Sequence, residues 1–112
     1  MVSFNLDASS ATNTTANITG VGFLPTGAVI NNIIDGTIAN SSSTVGYDKT
    51  AGGWCSQGST YTYHSSAAYV WLSGGSSSSW QVDSWTSDGC VLKATKTSSP
   101  SGTITVKALF LR

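Results

Sequence analysis

Short runs of alternating apolar and polar residues, punctuated by Gly, Ser, Asn and Pro, constrain this chain more than any other feature. Val2, Phe4 and Leu6 alternate with Ser3 and Asn5, the period-2 signature of a half-buried strand. Strand-like runs follow at 14–19, 27–34, 58–64, 67–72, 80–86, 90–97 and 103–111. Asp35-Gly36 and Asp88-Gly89 are turn signals, and Gly74-Gly75-Ser76-Ser77-Ser78-Ser79 reads as a flexible connection. Pro25 and Pro100 fall between runs, where a missing N–H costs least. No run has the length and period of a helix. About eight strands with short turns predict an all-β chain: an antiparallel β-sandwich, jelly-roll-like, formed as a single domain over residues 1–112.

Composition points the same way. Roughly a third of the chain is Ser or Thr, far above ordinary usage, and Glu is absent. Helix-favouring residues are scarce while Thr, Val, Ile and aromatics are plentiful, which favours strands. Charged residues make up 9% and the net charge is zero. Lys49, Lys93, Lys96, Lys107 and Arg112 are scattered, so no nucleic-acid partner is expected. No apolar run approaches the ~18 residues of a membrane span. The first residues lack a basic start followed by an apolar stretch, so no secretory signal is expected and folding in the cytoplasm of the producing cell is.

Catalytic equipment is hard to assemble from these residues. His64 is the single histidine, and its alternating strand places it on a polar face, so neither a Ser-His-Asp set nor a proton-transfer role is expected. Asp35 and Asp88 each precede Gly, a setting that local turn hydrogen bonding explains. No His, Cys and carboxylate grouping has metal-ligand spacing. The chain is therefore read as non-enzymatic, with no metal and no cofactor. Cys55 and Cys90 stand open between two buried thiols and one disulfide.

The aromatics carry more information. Trp54, Trp71, Trp80 and Trp85, with Tyr47, Tyr61, Tyr63 and Tyr69, crowd the middle of the chain. Many must fill the interior. If Ala68, Val70 and Leu72 face the core, Tyr69 and Trp71 face outward. For Tyr61 and Tyr63 alternation allows either face. Trp54, Tyr69, Trp71 and Trp80 are the candidates for contact with a partner protein or a glycan. In the last strand Ile104, Val106, Ala108 and Phe110 share one face, while Leu109 and Leu111 fall on the other. A strand apolar on both faces calls for cover on both sides, so Leu109, Phe110 and Leu111 are candidates for an interface with a second copy of the chain.

Two segments carry a resemblance. Asp88-Gly89-Cys90-Val91-Leu92-Lys93-Ala94-Thr95-Lys96-Thr97-Ser98-Ser99-Pro100-Ser101-Gly102-Thr103 resembles a pattern of small β-sandwich domains in tailed-bacteriophage structural proteins. There a DGF turn starts a strand, a TKT run ends it and an SPTGT turn leads into the final strand. Gly20-Val21-Gly22-Phe23-Leu24-Pro25-Thr26-Gly27-Ala28-Val29-Ile30 resembles the same family's apolar GFxPxAV approach to a buried strand. Cys90 stands where that family usually has Phe, and Ala94 where it usually has Trp. Those small residues share a face with Leu92, so Trp80 or Trp85 on the preceding strand is expected to refill the space.

The resemblance implies a virion structural protein: a capsid decoration or cement subunit, or a tail accessory, bound to the major capsid or a tail protein. By the same analogy a homotrimer is favoured over other oligomers. The alternative expectation is a carbohydrate- or receptor-binding module of a tail fibre.

Overall fold

The computed structural model describes residues 1–34, 37–47, 50–57, 60–64, 70–72 and 76–112; for 37–42, 47, 50, 55–57, 60–62, 64 and 70–72 it describes the backbone alone. Ten strands account for most of these residues: β1 (Val2–Asp7), β2 (Thr15–Ile18), β3 (Gly27–Ile34), β4 (Thr37–Tyr47), β5 (Thr50–Gln57), β6 (Thr60–His64), β7 (Val70–Leu72), β8 (Ser77–Thr86), β9 (Gly89–Thr97) and β10 (Thr103–Leu111). They form a six-stranded sheet, β1-β10-β3-β4-β5-β6, and a four-stranded sheet, β2-β9-β8-β7. Every pairing is antiparallel.

The fold is all-β, as expected, and its two sheets bury one shared core in the manner of a β-sandwich. The early strands nest against the late ones as in a jelly roll, β1 on β10 and β2 on β9. The middle departs from that plan, running as two meanders, β3 to β6 and β7 to β9.

Each of the eight expected runs contains a strand, although 58–59 and 67–69 of two runs lie outside the described residues. The structure adds β4 and β5. Their Ser- and Gly-rich sequences hold few apolar residues, and each is held by ladders to the strands on both sides. It also corrects the Gly74–Ser79 connection, since β8 already begins at Ser77 and Ser78 is buried against the core.

Alternation explains the core. On β10, Ile104, Val106, Ala108 and Phe110 are buried while Thr103, Lys107 and Leu109 are exposed. Ile30 and Ile34 of β3 join them from the same sheet, and Ile18, Trp80, Val82, Cys90, Leu92 and Ala94 meet them from the other. Strict alternation along β8 would send Trp85 outward, opposite in parity to Trp80 and Val82. A bulge prevents this: pairing passes from Val82↔Leu92 to Ser84↔Val91, leaving Asp83 as the extra residue. One inserted residue flips every side chain beyond it. Trp85 therefore turns toward the core and meets Phe110 edge-on across the two sheets, with ring centroids 6.4 Å apart and planes at 88°.

The small residues at 90 and 94 are matched to these two indoles. Trp80 stands opposite Ala94 and Trp85 opposite Cys90 in the β8–β9 ladder. Trp80 is 2% exposed and Trp85 packs against the same cluster. Large against small across one strand pair keeps the interior filled.

Candidate functional site

The outer faces of the two sheets differ in chemistry. On the four-stranded sheet, Thr15 and Asn17 of β2, Lys93 and Thr95 of β9 and Gln81 of β8 alternate with the core positions. Lys93 and the bulged Asp83 form a half-exposed ion pair at 3.3 Å. Such a pair adds at most about 1 kcal/mol, and the face has the character of a solvated surface.

The six-stranded sheet is different. Its register aligns Leu109, Val29, Val45 and Gly52 in one row across β10, β3, β4 and β5. Leu109 and Val45 are each 46% exposed and Val29 is half-buried. The adjacent row runs Ser3, Lys107, Asn31, Ser43, Trp54 and Tyr63. Trp54 and Tyr63 are exposed cross-strand neighbours. Lone surface hydrophobics mean little, but three aliphatics in register beside two exposed aromatics make this face the candidate for contact.

The expected site residues separate accordingly. Trp54 lies on this face. Trp80 does not: its side chain is core, because β8 puts even-numbered residues up to the bulge inward. Tyr69 lies outside the described residues. Trp71 is described by its backbone, in β7 opposite Ser79. Leu109 is exposed and Leu111 half-buried, whereas Phe110 is 8% exposed and serves the core beneath Trp85. Tyr63, Val29 and Val45 were missed, because only strand register shows that they flank Trp54 and Leu109. The alternation at 60–64 left the face of Tyr63 open, and the structure turns it outward.

One end of the sandwich is closed by a carboxylate clamp. Gly20 and Gly22 donate backbone N–H bonds of 2.9 and 2.6 Å to the two carboxylate oxygens of Asp88, and Val21 N–H donates to its carbonyl. Both glycines have positive φ, +87° and +83°, which suits residues lacking Cβ. The expectation of a purely local turn at Asp88 is thus corrected, since its partners lie 68 and 66 residues away. Backbone donors stabilise the charged form, so the hydrogen bonds from Gly20 and then Gly22 hold the Asp88 carboxyl below its ordinary value.

A depressed folded pKa adds stability that is present above the unfolded value and is lost as pH falls through the folded one. Asp88→Asn should therefore lower the urea midpoint at neutral pH and flatten its fall below about pH 4. An acid limb identical to wild type would show that the clamp contributes nothing.

No described grouping offers reaction chemistry. Among the described residues no three His, Cys, Asp or Glu side chains gather as a metal site. The side chain of His64 lies outside the described set. Cys90 is a free, buried thiol rather than half of a disulfide, and burial pushes it up to about 12, so it is not a thiolate at neutral pH. No described helix is long and apolar enough to cross a membrane. Comparison with protein-family models, characterised proteins and solved structures returns no match.

Proposed function

We propose that the chain is a non-enzymatic structural subunit of a tailed-bacteriophage virion, a decoration or tail-accessory part that assembles with copies of itself and with a larger virion protein. The observation that carries the assembly role is the aliphatic row Leu109–Val29–Val45 on an outer sheet face, opposite a face whose described side chains, Val91 apart, are polar and include an ion pair. Burying such a row against a second copy returns ~25 cal/mol for each Å² of apolar surface removed from water. A net charge of zero imposes no self-repulsion on the copies.

The virion setting is supported by the phage-like segments and by their arrangement. The Asp88-Gly89 turn of one is hydrogen-bonded to Gly20 and Gly22 of the other, so the two resembling stretches form one structural unit. Mass spectrometry of particles purified from cultures that make the chain tests this reading. Recovery in fixed proportion to the major structural proteins is expected, and absence from clean particles ends it.

A further inference from the structure

We propose that Trp54 and Tyr63 form a sugar-stacking platform, flanked by Asn31 and Ser43, that takes neutral hexopyranose units of a surface glycan. This goes beyond the assembly reading and does not rest on it. The four residues stand in a single row across β3, β4, β5 and β6. Three strand spacings make that row about 14 Å long, the scale of a short oligosaccharide.

Exposure separates these two rings from the other described ones. Trp54 is 45% and Tyr63 74% exposed, whereas Trp80 and Phe110 are buried and Phe4, Phe23 and Trp85 pack against the core. Gly52, two residues before Trp54 on the same strand face, carries no side chain to cover the indole, and Ser43 opposite it is small. A pyranose ring presents C–H groups on its flat side, which pack on an aromatic face, and hydroxyls around its rim, which need donors and acceptors. Asn31 is exposed and its amide supplies both, as does the Ser43 hydroxyl.

The neighbouring row makes the contrast. Leu109, Val29 and Val45 have no hydrogen-bonding side chain and suit a protein surface; the aromatic row pairs stacking faces with hydroxyl and amide groups. The nearest described charge in that row is Lys107, one strand beyond Asn31, so the aromatic end favours an uncharged sugar.

Titration of the purified full chain with neutral gluco-, galacto- and manno-oligosaccharides, followed by calorimetry and tryptophan fluorescence, tests the proposal. At least one series should bind, with a change in indole emission. Trp54→Ala should weaken it about tenfold or more, which is 1.4 kcal/mol. Asn31→Ala, at an exposed position, should weaken it several-fold with the circular dichroism unchanged. Leu109→Lys, three strands from Trp54, should leave sugar binding intact, even where it breaks assembly. No binding of any series by the folded chain at millimolar sugar overturns the proposal, as does binding that survives both Trp54→Ala and Asn31→Ala. If Trp54→Ala fails to fold, Asn31→Ala together with Tyr63→Ser decides the matter.

Discussion

Trp80→Ala is expected to cost about 3–5 kcal/mol, the range for deleting a large aromatic from a packed core. For a domain of this size that is a large share of the total stability. The indole is 2% exposed and stands opposite Ala94, whose methyl cannot fill the space it would leave. Trp80→Phe should cost far less. Phe keeps most of the apolar volume, and the buried Trp80 indole N–H has no hydrogen-bond partner among the described residues, a state that is itself unfavourable. The pairing of large with small also predicts coupling between the strands. Trp80→Ala with Ala94→Trp should recover part of the loss, because the two positions share one volume. Urea midpoints of the three variants measure this. Simple additivity in the double variant would refute the account of the β8–β9 core.

Gly89→Ala is the second large effect, at about 3–5 kcal/mol from backbone strain and steric conflict together. Gly89 has φ +155°, and an added Cβ would run into the carbonyl oxygen of Ile18. That oxygen belongs to β2, whose Ile18 pairs with Cys90 at the start of β9. Relief of the conflict must move β2 away from β9 and disturb the neighbouring Asp88 clamp. The expected result is a chain that unfolds at much lower urea, with cross-β2 amide protection lost first in hydrogen exchange. A change within 1 kcal/mol of wild type would show that β2 adapts without cost.

Much of this architecture was legible in the residues, for a physical reason. Runs such as Val2–Leu6 and Ile104–Phe110 pair alternation with a buried face, so local pattern and global packing agree. β4 and β5 were illegible because Ser41, Ser42, Ser43 and Gly52, Gly53 carry no apolar rhythm; their strand state comes from the ladders on either side. Trp80 was expected both as a core filler and as a surface candidate, and the bulge at Asp83 shows how β8 turns Trp80 and Trp85 to the same interior. Phe110 follows the buried face of its strand and leaves Leu109 as the exposed member. The candidate contact face was the least visible feature. Leu109, Val29 and Val45 are separated widely in the chain, and only register brings them into a row. Asp88 likewise looked local, because a carboxylate's distant backbone partners leave no trace in its own neighbourhood of the sequence.

The central claim is that the aliphatic row on the six-stranded sheet is covered by a second copy of the chain. Sedimentation velocity of the wild-type protein and of the Val45→Lys/Leu109→Lys double variant tests it most directly. Wild type should sediment as one closed oligomer, a trimer by the phage analogy, and the double variant as a monomer with unchanged circular dichroism. A wild-type protein that stays monomeric throughout the micromolar range, or a double variant that assembles as wild type does, would contradict the account.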